Sequence, residues 1–158
     1  SSAASAGPKF SRHKPGLLIP VALEQSKAGG RVVAVNAASA YSLGGGFYRG
    51  GRHALEESIF MQSTLSQSLE EAQRLKQPGQ CHIPLKGVVL SPKVEVFRAG
   101  TAEGYPFLPA RTVLTAIVSM AAPNCNPRMR DAPVDKPASE KEYRRLLLQK
   151  WLGTRPAC

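Results

Sequence analysis

Acidic residues are scarce in this chain. Eleven Asp and Glu stand against 21 Lys and Arg, a formal net charge of +10 over 158 residues. A basic balance favours polyanionic partners: nucleic acid, a phosphorylated substrate or an anionic surface. Basic tails supply much of it, through Lys9, Arg12 and Lys14 in a Ser/Ala/Gly/Pro-rich start and Arg128, Arg130 and Lys136 in a Pro-rich segment. Cysteine is equally sparse. Cys81, Cys125 and Cys158 show no CxxC spacing and no disulfide framework, which suits a reducing compartment, cytoplasm or nucleus. A zinc site built from Cys81, His82 and Cys125 would need a fourth ligand from afar, such as His53; inert cysteines are far more common. No uninterrupted apolar run is long enough to span a bilayer, so no membrane partner is expected. Paired aromatic strands and zinc-finger spacing are also missing, which leaves a nucleic-acid reader without a recognised motif. Internal repeats are absent. What remains is a length suited to one domain and an apolar content of 42%, compatible with a globular core.

Residues 1–15 read as a flexible basic tail. Gly16 to Ala22 is apolar but holds Pro20, which makes it at best a short or edge strand. Glu24 to Ala28 fits a helical turn ended by Gly29-Gly30. Val32 to Val35 is a β-branched run with the signature of a strand buried on both faces. From His53 to Lys76 the period becomes helical, with Leu55, Ile59, Leu65, Leu69, Ala72 and Leu75 on roughly one face, until Pro78-Gly79 stops it. Val88 to Leu90 and Val94 to Phe97 are two short strand candidates around Ser91-Pro92, and Gly100 to Pro109 is expected as loop. Thr112 to Met120 is a second core strand, and Asn124 to Pro137 a proline-rich loop. Ser139 or Glu140 to Trp151 reads as a basic amphipathic helix with Tyr143, Leu147 and Trp151 at four-residue intervals, ended by Gly153 and Pro156. The alternation of core strands and helices argues for an α/β layered fold.

The chemistry concentrates between Val32 and Leu69. A short strand ends in Asn36; Gly44-Gly45-Gly46 follow, and Glu56-Glu57 open the helical segment. Consecutive glycines let backbone N–H groups approach an anion closely and adopt positive φ without steric cost. The start of a helix adds partial positive charge. This is the layout of a site that holds a phosphorylated sugar. Asn36 follows a core strand, where α/β sheets place ligands, and an amide there can hold ribose hydroxyls; a turn-forming Asn is the alternative. Phe47 and Tyr48 either stack on a ring or pack under the loop. Adjacent glutamates on a helix diverge by about 100°, so Glu56 and Glu57 cannot share one task. An acidic helix N-terminus stabilised by the macrodipole is the bland account of either.

The stretches Val35-Asn-Ala-Ala-Ser-Ala40, Gly44-Gly-Gly-Phe47, Glu56-Glu57 and Gln62-Ser-Thr-Leu65 together resemble the microbial-type poly(ADP-ribose) glycohydrolases of the macrodomain superfamily. Ser91-Pro-Lys-Val-Glu-Val-Phe-Arg98 and Ser119-Met-Ala-Ala-Pro-Asn124 fit the same family, and the likeness runs roughly from Gly29 to Trp151. The resemblance implies an α/β macrodomain-like mixed sheet layered between helices, incomplete at its C-terminal side. It spans 16–152 as the catalytic region, with 153–158 as a tail. The implied activity is hydrolysis of ribose–ribose bonds in poly(ADP-ribose), exo-type, releasing ADP-ribose. The implied partners are poly(ADP-ribose) or ADP-ribosylated proteins, with no metal or redox cofactor. Carried over by motif, Glu57 is the catalytic acid and Glu56 the ribose anchor, while Asn36, Gly44, Gly45, Gly46 and Phe47 bind substrate. Two positions depart: the motif's Gln is Leu55, and its Pro before the glycines is Leu43. Nothing after Trp151 supplies the family's second glycine-rich loop. Arg98 and Arg111 are further phosphate candidates outside the motif, and Asn124 a second-tier one. A non-catalytic ADP-ribose-binding module of the same fold is the alternative.

Overall fold

A computed structural model describes residues 12, 16–84, 86–123, 125 and 137–154. The elements run α1 (Leu18–Lys27), β1 (Val33–Ala37), α2 (Leu55–Gln62), α3 (Leu65–Leu75), β2 (Val89–Arg98), β3 (Phe107–Met120) and α4 (Glu140–Thr154), with short 3-10 turns at Phe47–Arg49 and Thr101–Glu103. The three strands form one mixed sheet in the order β1-β3-β2. β3 is central, parallel to β1 from Val33↔Ala116 to Ala37↔Met120 and antiparallel to β2. Helices α1, α2 and α3 bury Ile19, Ala22, Ile59, Phe60, Leu65 and Leu69 against Ala34, Val94, Val96, Leu114 and Ile117 of the sheet. Burial on this scale contributes about 25 cal/mol per Å² of apolar surface. No helix among the described residues is long and apolar enough to cross a membrane. The tail expected over 1–15 lies outside the described residues apart from Arg12, as does most of the loop expected from Asn124 to Pro137.

The segment with Pro20 is helical, not a strand. Pro20 is the third residue of α1, where the backbone N–H has no partner within the helix and proline costs nothing. Gly29, at φ +84, turns the chain out of the helix. β1 is the outer strand, and its buried Ala34 and Asn36 alternate with half-buried Val33 and Val35. The strand buried on both faces is β3, through Ala116 to Met120. Its beginning at Phe107 lies inside the expected loop because Phe107 to Val113 is largely exposed and shows no burial alternation. The two candidates around Ser91-Pro92 are one strand. β2 is an outer strand, where half the N–H groups need no ladder partner and proline is tolerated. Lys93, at φ +53, interrupts the pleat, so the inward positions are Ser91, Val94 and Val96 rather than alternate residues.

The helical stretch after His53 is two helices. At the break Ser63 bridges to Val96, Thr64 N–H donates to Glu95 O at 3.0 Å, and Glu95 N–H donates to Thr64 Oγ1 at 3.0 Å. Leu55 and Leu75, at the two ends of the expected face, are exposed. α4 buries Leu146, Lys150 and Thr154 instead of Tyr143, Leu147 and Trp151. Its inward seam is partly polar: Lys150 Nζ donates to Pro84 O at 3.4 Å. Gly153 lies within α4, which continues to Thr154.

Candidate active site

β1 and β3 run parallel and end on the same edge of the sheet, where Asn36 and Ser119 are register partners. Asn36 is fully buried. Its Nδ2 donates to Ser119 Oγ at 3.1 Å and to Glu56 Oε1 at 3.3 Å. The other Glu56 oxygen, Oε2, accepts the Ser39 N–H at 3.1 Å. Glu56 is thereby tied to β1, to β3 through Asn36, and to the loop after β1. Burial pushes its carboxyl up, against the opposing pull of the Ser39 and Asn36 hydrogen bonds. Asn36 Oδ1 is buried without a hydrogen-bond partner.

Beyond Ser39 the chain turns on the Ser39 hydroxyl, which accepts the N–H groups of Tyr41 and Ser42. Gly44 and Gly45 then take left-handed backbone, at φ +68 and +59. Gly44 is doubly constrained, since a Cβ there would meet the Phe60 ring at 2.6 Å. Phe47 packs edge-on against Phe60 with centroids 5.4 Å apart. Of the two readings open for Phe47, packing beneath the loop is the one the structure shows. Tyr48 reaches over to donate to Glu70 of α3. Burial and that carboxylate push its phenol up to about 12.

Glu57 sits quite differently from its neighbour. It is the third residue of α2, half-exposed at the helix start. Its Oε2 accepts the N–H groups of His53 and Ala54, each at 3.1 Å, and its Oε1 accepts that of Gly46 at 2.8 Å. The Ala54 bond is half of a capping box; an alanine has no side-chain oxygen to complete it. These N–H donors, Ala54 foremost, hold the Glu57 carboxyl below the usual carboxylate range, and His53 adds to the effect. Gly46 and Gly51 lie directly against the carboxylate.

The model of the microbial-type PARG catalytic domain matches residues 19–99, just over half of the chain and all of the geometry above except Ser119. This chain belongs to that family. Solved poly(ADP-ribose) glycohydrolases share its mixed α/β architecture. One from Thermomonospora curvata is 25% identical with a TM-score of 0.72, and the match covers 99% of this chain and 55% of that one. The same enzyme bound to the inhibitor ADP-HPD is 26% identical at a TM-score of 0.65, covering 89% of this chain and 50% of that one. A Deinococcus radiodurans PARG in complex with ADP-ribose is 25% identical at a TM-score of 0.57, covering 84% of this chain and 54% of that one. The chain therefore spans about half the length of these structures. No curated protein matches it.

Seen as a PARG-family chain, the fold brings Asn36, Gly44, Gly45, Gly46, Phe47, Glu56 and Glu57 into one neighbourhood. Arg98 and Arg111 are engaged elsewhere. Arg98 stacks 3.9 Å over the Phe107 ring and donates to Tyr105 O, while Arg111 pairs with Glu95 on the exposed face of the hairpin. Asn124 lies outside the described residues. Among the described residues no group of three or more His, Cys, Asp and Glu could hold a metal ion. The sequence reading gives Ser119 and Gly51 no role in the site. Ser119 reaches Asn36 only through strand register. The Gly50-Gly51 pair is visible in the sequence, but not the contact that one of the two makes.

Proposed function

We propose that this site hydrolyses the ribose–ribose O-glycosidic bond of poly(ADP-ribose) and releases ADP-ribose, with Glu57 as general acid and base and Glu56 as the group that orients the sugar. The observation that carries the reading is the opposed setting of the two adjacent glutamates. Glu57 is reachable at the mouth of the glycine loop, and Glu56 is sealed behind it on side chains of the sheet. Environments that separate two carboxyls in this way are how one site assigns two roles.

In the reaction, the Glu57 carboxyl gives its proton to the departing ribose oxygen as the anomeric C–O bond breaks. The resulting carboxylate then takes a proton from the water that attacks the anomeric carbon, which restores the acid. Free of ligand, Glu57 is held ionised by its N–H donors. A bound diphosphate brings negative charge and displaces water, and both favour the protonated form. Asn36 acts through Glu56, because its amide N–H groups are already given to Glu56 and Ser119. Gly44, Gly45 and Gly46 form the wall along which the sugar and its phosphates lie, with Phe47 packed beneath them on Phe60.

The alternative is a reader that binds ADP-ribose without turnover. Leu55, exposed where the family motif has Gln, favours it. Calorimetric titration with ADP-ribose, followed by a poly(ADP-ribose) cleavage assay on the same sample, separates the two. Saturable binding with release supports the hydrolase, and binding without release supports the reader. Neither, on a folded sample, removes both.

A further inference from the structure

The Glu57 carboxylate lies in a slot between two glycines. Gly46 forms one wall and donates its N–H to Oε1. Gly51 forms the other, and its own N–H donates to Gly46 O at 2.9 Å, which closes the slot. A Cβ on Gly51 would stand 2.6 Å from Glu57 Cδ, 2.6 Å from Oε1 and 2.8 Å from Oε2. The whole carboxylate therefore rests on the bare Cα of Gly51. Gly51 does not have left-handed backbone, so the turn itself does not demand a glycine there. Its neighbour is the reverse: Gly50 has φ +88, and a Cβ on it would meet nothing within 4 Å. One glycine serves the turn and the other serves Glu57.

We infer that Gly51 is a positioning residue for Glu57, its missing side chain keeping the carboxylate in the slot and on the N–H groups of Gly46, His53 and Ala54. The inference rests on the proposed role of Glu57 as the reacting group. The atoms that a methyl group at residue 51 would strike are the far end of a flexible side chain, not backbone. Alanine there displaces the carboxylate toward solvent and leaves the fold standing. The charged or titratable groups that bear on this carboxylate are His53 on the loop and Glu56 on its own helix.

The test compares the full chain with Gly51→Ala and Gly50→Ala. The Glu57 side-chain carbon is followed by NMR through a pH titration and assigned with Glu57→Gln; poly(ADP-ribose) cleavage is measured alongside. Gly51→Ala is expected to raise the Glu57 titration midpoint toward that of an ordinary glutamate. It is also expected to lower kcat by about tenfold or more, with a smaller change in KM, as a displaced catalytic group does. Gly50→Ala is expected to leave the midpoint where it is. An unchanged midpoint in Gly51→Ala overturns the inference, and so does a Gly51→Ala chain that fails to fold by circular dichroism, since the residue would then be serving the backbone. If the native chain releases no ADP-ribose, the proposed activity fails, and the titration still decides the slot.

Discussion

The sheet side and the loop side of the site hold their glutamates by opposite means. On the sheet side a side-chain relay does much of the holding: Asn36, bonded to Ser119 of the next strand, donates to Glu56 Oε1, beside the Ser39 N–H on Oε2. On the loop side, the backbone does it: Gly46, His53 and Ala54 present N–H groups to Glu57, and among the described residues every hydrogen bond to it comes from the backbone. A side-chain network is lost when an atom is removed; a backbone network is lost only when an atom is added. The two halves therefore fail under opposite kinds of substitution.

Removing the charge on the loop side has the largest expected effect. Glu57→Gln keeps the shape of the slot and removes the group that moves the proton. Poly(ADP-ribose) cleavage is expected to fall by about 10²–10⁴-fold, while calorimetry shows ADP-ribose affinity within a few-fold of the native chain. Unchanged turnover would take Glu57 out of the mechanism.

On the sheet side the effect is on stability first. Asn36→Ala strips Glu56 Oε1 and Ser119 Oγ of their shared donor in a buried place. Urea unfolding is expected to show a loss of about 1–3 kcal/mol. Ser119→Ala removes one hydrogen bond from the same network and is expected to cost about 1 kcal/mol. A Ser119→Ala chain less stable than Asn36→Ala would mean that Asn36 is not the centre of the network.

The smallest effect is in pH, and its sign differs between the halves. The folded-state Glu56 carboxyl is raised above its ordinary value of 4.5. Its contribution is full below that value and is lost as pH rises through the folded value. Glu57 is lowered. Its contribution is present above 4.5 and is lost as pH falls through the folded value. Thermal melting of Glu56→Gln against the native chain is thus expected to improve relatively above pH 4.5. The same comparison for Glu57→Gln is expected to improve relatively below it. Parallel profiles would mean that the two carboxyls share one environment.

Much of this site is readable in the sequence because it is local. Asn36, the three glycines and the glutamate pair fall within 22 residues, Asn36 to Glu57, and their order along the chain is nearly their order in space. The β3 core was readable for the same reason, as a run of apolar residues long enough to leave no polar face. What escaped depends on contacts between distant segments. Ser119 joins the site from 83 residues away through one register pairing. The inward turn of Lys150 depends on the Pro84 carbonyl waiting beneath it. Pro20 misled because proline forbids a helix interior but not a helix start, and only the position of Leu18 settles which applies. The break at Ser63-Thr64 shows in the sequence only as the six-residue step from Ile59 to Leu65, about 120° off the helical face.

Tyr105 sits at φ +59 in the turn between β2 and β3, and its hydroxyl donates to Arg52 O at 2.5 Å. Arg52 directly precedes the two residues whose N–H groups hold Glu57 Oε2. The downstream rim of the slot is thereby moored to the β-hairpin, and its upstream rim is tied to the downstream one by the Gly51 N–H on Gly46 O. Both sides of the slot therefore trace back to the hairpin turn. The two N–H groups under Glu57 Oε2 are thus steadied, one residue upstream of them, by a tyrosine in the turn of the sheet hairpin.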